Sequence, residues 1–242
     1  MDRASPDGPL RVALLADVHG NAIALKRCLA IVAEFNPDAR YFLGDCVGYL
    51  PGEQECLELL SAPGIACQRG NHEQMLLCPT EQSASQDDVY RLAAAARRMN
   101  PAGIEAIGRW PTQRELELGG RRVLLVHGSP ESPLDGYIYP DTDLSTYAEL
   151  PYDAVFMANT HRPFVSQIGH TLMANVGSVG LPRDVGRLSS VAMYDTEANT
   201  VDVLRPRLDV EAVLARWGHE IHPATRACLL RDAPSFVGAE IA

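Results

Sequence analysis

The segment Val12-Ala13-Leu14-Leu15-Ala16-Asp17-Val18-His19-Gly20-Asn21 carries the key to the fold. Five consecutive apolar residues suit a central strand covered on both faces. Asp17 and His19, two residues apart where that strand ends, leave the chain on the same side and can reach one ion. Asn21 is placed to cap a helix in which Ala22, Ile23, Leu25, Leu29 and Val32 recur at helical spacing. The unit is therefore strand, polar donors, helix. In an open α/β sheet, ligands collect in the crevice beyond the carboxyl ends of such strands.

The same pattern recurs outward from that segment. Tyr41 to Leu43 runs into Gly44-Asp45, and Ile65 to Gln68 into Gly70-Asn71-His72-Glu73. Val123 to Val126 runs into His127-Gly128, and Ala154 to Ala158 leads to Thr160-His161. Four of the seven histidines fall in these segments. Carboxylate, amide and imidazole groups delivered repeatedly to one sheet edge imply a polynuclear metal site. An oxygen-and-nitrogen donor set without thiolate suits Mn²⁺, Fe or Zn²⁺ better than Ca²⁺ or Cu(I). Gly44 allows close backbone approach, and the two oxygens of Asp45 are suited to bridging two ions. Glu73 reads as a helix-start charge complementing the dipole rather than a ligand.

Helices are expected over Glu53 to Leu60, Gln86 to Met99 and Ala102 to Arg109, the second closed by Asn100-Pro101. Glu115 to Leu118 and Arg121 to Val126 form a hairpin across Gly119-Gly120. Ser129 to Leu150 is a long, partly helical loop over the site, and such loops are usually functional. Phe164 to Ile168 pairs with Thr171 to Ala174, and Ser189 to Tyr194 with Thr200 to Leu204. Helices near Val210 to Trp217 and Pro223 to Leu230 follow. Parallel βα units first and hairpins later point to two packed mixed sheets with helices outside, in one domain spanning 1–242. Residues 1–9 are read as a flexible terminus and 206–242 as a helical segment packed on the body.

A net charge of −10 disfavours stable association with nucleic acid or anionic membranes. It leaves room for a small anionic substrate, because bound cations dominate the local field. No apolar stretch is long enough to span a bilayer, and Met1 to Leu10 lacks a signal-peptide core. The six cysteines make no Cys-x-x-Cys pair and are expected to be reduced. A cytoplasmic location is expected.

Together, Asp17-Val18-His19, Gly44-Asp45, Gly70-Asn71-His72-Glu73, His127-Gly128 and Thr160-His161 resemble the ordered motifs of the calcineurin-like metallophosphoesterase superfamily. The runs Gly44-Asp45-Cys46-Val47-Gly48-Tyr49, Val126-His127-Gly128-Ser129-Pro130 and Asn175 to Arg183 are similar to those of small single-domain bacterial phosphodiesterases. The likeness covers roughly Leu10 to Leu204. It implies a four-layer α/β/β/α sandwich of two mixed sheets flanked by helices. It also implies hydrolysis of a small phosphorylated substrate, a phosphodiester foremost, by a hydroxide held between two divalent ions. Mn²⁺ is the expected metal, with Fe, Zn²⁺ or Ni²⁺ as others. On this resemblance Asp17, His19 and His161 hold the first ion, Asp45 bridges, and Asn71 and His127 belong to the second. His72 stands beside the leaving oxygen, as proton donor or hydrogen-bond partner, its other reading being a residue that orients a ligand carboxylate.

One position departs from the family. Where the motif has Gly-His-x-His, this chain has Ala158-Asn159-Thr160-His161. Asn159 is then a weaker ligand to the second ion, or the site works with one ion or is completed by substrate, or the chain is degenerate. The rival reading is accordingly a non-hydrolytic protein that binds a phosphate ligand. Gly169-His170-Thr171 mimics the missing motif but falls at a hairpin turn. Arg162 and Arg183 flank the presumed mouth as candidate phosphate ligands, with Asp184 as an alternative partner for Arg183. Tyr137 and Tyr139 are read mainly as loop packing, with stacking on a nucleobase or an aromatic leaving group as the alternative. His219 and His222 are read as solvent-exposed.

Overall fold

The apolar run that opens the chain becomes β1 (Arg11–Leu15), followed by α1 (Ala22–Glu34) with Asn21 Oδ1 accepting the Ala24 N–H at 3.2 Å. A computed structural model describes residues 8–79 and 83–242. Next come β2 (Ala39–Phe42), α2 (Glu53–Leu60), β3 (Ile65–Cys67) and α3 (Asn71–Leu77). Helices α4 (Ala84–Tyr90), α5 (Leu92–Arg98) and α6 (Pro101–Gly108) precede the hairpin β4 (Gln113–Leu118) and β5 (Arg121–Val126). Then follow β6 (Ala154–Met157), β7 (Phe164–Ile168), β8 (Thr171–Asn175), β9 (Val191–Asp195) and β10 (Thr200–Pro206). Helices α7 (Val210–Trp217) and α8 (Pro223–Leu229) lead to β11 (Ala239–Ile241).

These strands form two mixed sheets. One has the order β11-β10-β9-β1-β2-β3, and the other β4-β5-β6-β8-β7. β1, β2 and β3 are mutually parallel, with Val12 opposite Ala39, while β9 lies antiparallel on the other side of β1. In the second sheet β5, β6 and β8 are parallel, and β4 and β7 are the antiparallel edges.

The period-two alternation of a strand divides each central strand between two cores. Val12, Leu14 and Ala16 meet Val123, Leu125, Phe156 and Ala174 between the sheets. Ala13 and Leu15 face Leu25, Cys28 and Val32 of α1 on the outside of the first sheet. Leu124, Val126, Val155, Met157 and Met173 point out of the second sheet and are covered by Ile138, Leu144 and Tyr147. The fourth layer of the α/β/β/α arrangement is thus thin, carried by the 129–150 segment with its 3-10 turn Ser145–Tyr147.

The structure departs from the sequence reading in three places. The helix expected over 86–99 is two helices, broken at Arg91, whose φ is +62°. Asp87 Oδ1 takes the Ala93 N–H at 2.8 Å, restarting the chain in a new direction, while the Tyr90 carbonyl is claimed by the Tyr49 N–H at 2.6 Å. Asn100 is the N-cap of α6 rather than only a stop, its Oδ1 accepting from the Gly103 N–H at 2.6 Å. The C-terminal segment is not wholly helical: β11 returns to pair parallel with β10. Most of the terminus read as flexible, residues 1–7, lies outside the described residues. Among the described residues no helix is long and apolar enough to cross a membrane.

Candidate metal centre

The carboxyl ends of β1, β2, β5 and β6 and the start of α3 converge, and the turns after β1, β2 and β6 are backbone-strained. Asp17 (φ +52°), His19 (+51°), Asp45 (+64°), Asn159 (+63°) and His161 (+57°) all lie in the left-handed region. That conformation costs a non-glycine residue about 1–2 kcal/mol and clusters at functional sites. Glycines permit the close approach of β2 and α3. A Cβ on Gly44 would stand 2.3 Å from the Gly70 nitrogen, and one on Gly70 would stand 2.2 Å from Asp45 Oδ1.

Asp17, His19, Asp45, His127 and His161 are all buried. His127 Nε2 lies 3.4 Å from Asp45 Oδ2 and 3.9 Å from Asp17 Oδ1, and His19 Nε2 lies 3.6 Å from Asp45 Oδ2. His161 Nε2 is 3.8 Å from Asp17 Oδ1, and Asn71 Oδ1 is 3.2 Å from His127 Nε2. His72 Nε2 completes the group at 4.0 Å from Asp45 Oδ2. Three overlapping donor sets result: Asp17, His19 and His161; Asp17, Asp45 and His127; His19, Asp45 and His72. The two oxygens of Asp45 do not share the bridging position equally. Oδ1 accepts the His72 backbone N–H at 2.9 Å, so Oδ2 alone faces His19, His72 and His127.

Backbone carbonyls set the imidazole orientation. His19 Nδ1 lies 3.1 Å from the Val47 carbonyl, His127 Nδ1 3.0 Å from Leu43 O, and His161 Nδ1 2.6 Å from Leu181 O. A carbonyl only accepts, so each Nδ1 carries the proton, and the neutral rings of His19 and His161 turn an Nε2 lone pair inward. His19 and His161 then face each other lone pair to lone pair at 3.0 Å. Burial lowers the His19 imidazole to about 3 and His72 to about 4, and drives His161 well below the usual histidine range. Burial also raises the Asp17 carboxyl well above the usual range, against the pull of His127, and both its oxygens lack a hydrogen-bond partner. At His127 burial is outweighed by the carboxylates of Asp45 and Asp17, which raise it to about 9. Burial likewise opposes ionisation of Asp45, but His127 and His72 hold it below the ordinary carboxylate range. Opposed lone pairs and orphaned buried carboxylate oxygens are what a divalent cation satisfies, so the donor set fits a metal.

Four residues have contacts at the site that a sequence reading does not assign. Glu73 is buried and does more than complement a helix dipole. Its carboxylate accepts from the N–H groups of Asp45 (2.7 Å), Cys46 (2.6 Å), Val47 (3.3 Å) and Gly70 (2.8 Å), clamping two motifs together. Tyr49 and Tyr90 surround His72 with ring centroids 5.1 and 4.7 Å away. Ser178 Oγ donates to the Asp17 carbonyl at 2.7 Å, joining the 175–183 loop to the end of β1. Tyr49 and Ser178 lie in the motif runs quoted from the sequence and Glu73 stands three residues after Gly70, but none of these positions disclosed its contacts.

The remaining candidates separate clearly. Arg183 is half-buried beside the centre, with Nη2 3.3 Å from Tyr49 Oη and its backbone N–H on the His161 carbonyl. It does not pair with Asp184, which instead makes a two-pronged ion pair with the buried Arg205 at 2.6 and 2.8 Å. Arg162 is exposed in the turn after His161. Asn159 donates from Nδ2 to the Gly136 carbonyl at 3.0 Å, tying the 129–150 segment to the site. His170 is exposed in the β7–β8 turn. His219 is exposed, whereas His222 is only partly so and caps α8 by accepting the Ala224 N–H. Tyr137 and Tyr139 are 51% and 38% exposed, so they do not pack the loop; Ile138, at 2%, does.

A buried histidine–carboxylate centre at the strand ends of two facing mixed sheets defines the class: an α/β protein built around a metal site. The domain model of the calcineurin-like phosphoesterase superfamily matches residues 10–199, and the chain belongs to that superfamily. An uncharacterized protein of Methanocaldococcus jannaschii is 26% identical over 221 residues, 83% of this chain and 88% of that one. The crystal structure of a hypothetical protein from Pyrococcus horikoshii OT3 superposes with a TM-score of 0.80 at 21% identity, covering 96% of this chain and 99% of the other. A metallophosphoesterase from Sphaerobacter thermophilus gives 0.75 at 22% identity over 91% and 98%. At these identities the two structures establish the shared fold.

Proposed function

We propose that this protein hydrolyses phosphate esters, phosphodiesters foremost, using two divalent cations, with Mn²⁺ the expected metal. The observation that carries this reading is the unsatisfied donor set: two unpartnered Asp17 oxygens beside the facing Nε2 atoms of His19 and His161. Asp17, His19 and His161 would hold one ion. Asn71 and His127, with Asn159 as a weaker donor, would hold the other, and Asp45 would bridge through Oδ2. When bound, such ions lower the pKa of water and neutralise charge developing on phosphoryl oxygens.

The chain's own groups do the rest. Burial keeps His72 neutral near pH 7, so its ring N–H serves as a hydrogen-bond donor to a phosphoryl or leaving oxygen. Arg183, braced by Tyr49, offers a fixed cation for a phosphate oxygen, and the exposed Arg162 a second, looser one. The phosphodiester preference rests on the likeness of motifs to small bacterial phosphodiesterases. We further read 1–242 as a single domain, supported by β11 closing back onto β10, and the protein as cytoplasmic, supported by six free thiols.

The test is hydrolysis of bis(p-nitrophenyl) phosphate by protein stripped of metal and reloaded with Mn²⁺. Asp45→Ala, which removes the carboxylate proposed to bridge the two ions, should abolish turnover. Retention of the wild-type rate would sink the reading. The engagement of Asn159 with Gly136 favours a second reading, a phosphate-binding protein with a degenerate second site; it requires no turnover at any Mn²⁺ concentration.

A further inference from the structure

We propose that the exposed pair Tyr137 and Tyr139 is a stacking platform for the nucleobase of a nucleoside phosphate ester whose phosphate enters the metal centre. This rests on the phosphoesterase reading above and adds the substrate class. Along 137–139 the side chains alternate out, in, out. Ile138 enters the core with Leu144 and Tyr147, so the segment is anchored without either exposed tyrosine. The two rings are stacked, 11° between planes with centroids 6.2 Å apart, and both remain partly exposed to solvent.

Their place relative to the site is fixed by the residue before them. Gly136 accepts from Asn159 Nδ2 at 3.0 Å, and a Cβ on Gly128 would meet the Gly136 nitrogen at 2.4 Å. Tyr137 therefore leaves the chain between the residues that follow β5 and β6, where His127 and Asn159 stand. After burial, Tyr90, Arg183 and Asp45 all act on the Tyr137 phenol, consistent with a position at the same rim. Arg183 and the cations would take the phosphate, and the neutral ring pair would take what is attached to it. Exposed parallel rings reward a planar π-system over an aliphatic or sugar substituent, and stacking tolerates any base.

The experiment compares Mn²⁺-loaded protein on thymidine 5′-(p-nitrophenyl phosphate) and ethyl p-nitrophenyl phosphate, which share leaving group and reacting atoms. The nucleoside ester should be favoured roughly ten- to a hundredfold in kcat/KM, mostly through KM. Replacing both tyrosines by Ala, or by Leu to keep apolar area without a ring, should bring the ratio of the two specificity constants towards one. The double Phe variant should keep it. A ratio near one in the wild type, or one that the Leu pair leaves unchanged, overturns the platform. Calorimetric binding of thymidine 5′-monophosphate against inorganic phosphate reads the platform without turnover. Tighter nucleotide binding that depends on the rings, with neither ester hydrolysed, keeps the platform and rejects the phosphoesterase reading. Equal binding rejects the platform whether or not the esters are hydrolysed.

Discussion

Two residues carry the sharpest expectations. His72 packs against His19, Tyr49 and Tyr90, with Nε2 4.0 Å from Asp45 Oδ2. If it acts on substrate, His72→Ala should lower kcat by roughly 10²–10⁴-fold while bound Mn²⁺ stays near the wild-type amount. Metal lost in proportion to activity would make it a residue that orients Asp45. At Asn159 an amide replaces an imidazole and is partly spent on the Gly136 carbonyl. Asn159→His should shift the Mn²⁺ dependence of activity to lower concentration, imidazole being the stronger donor. Coincident titration curves would show that Asn159 does not reach the second ion.

At the scale of elements, the junction of β3 with α3 is the critical joint. Gly70 lies against Asp45, and Glu73 one turn on gathers four backbone donors from both sides. Gly70→Ala places a methyl where Asp45 Oδ1 now lies, so either the carboxylate or the helix must move. Overpacking of this kind costs about 1–3 kcal/mol. The variant should melt a few degrees lower and retain less Mn²⁺ after dialysis; unchanged metal content would show that the joint yields without displacing Asp45.

For the whole molecule, pH dependence of the metal-free protein follows from the buried centre. His19, His72 and His161 stay neutral in the fold but take protons in the unfolded chain below about 6.5. Their contribution is therefore lost as pH falls from about 6.5. Asp17 and Glu73, whose carboxyls burial raises, Glu73 to about 7, act in the opposite direction, but the three imidazoles outnumber them. His127 is raised to about 9, so its contribution is present below 6.5 and lost as pH climbs towards 9. Melting of chelated protein should peak at about pH 6, where the protons the unfolded imidazoles bind balance those held by Asp17, Glu73 and His127, and fall on both sides. A steady rise from pH 5 to 9 would mean that His127 is not protonated in the fold. Saturating Mn²⁺ should raise the melting temperature, since an ion that binds only the folded state adds to its stability.

Alternation and helical spacing made much of this legible in one dimension. They located the strands, both glycine-turn hairpins and the polar residue that ends each buried run, because burial repeats every two or 3.6 residues and metal donors are recognisable by type. The helices at 210–217 and 223–229 were legible for the same reason. What the spacing cannot encode is contact between residues far apart in the chain. That Asp184 belongs to Arg205, that Tyr49 braces Arg183, that Tyr90 both breaks a helix and backs His72, and that 239–241 closes the sheet depended on three-dimensional packing. Local pattern determines which side chains are buried and which donors lie at strand ends; only the packed sheets decide which oxygen of Asp45 faces the histidine cluster, because the His72 amide that claims the other lies 27 residues away.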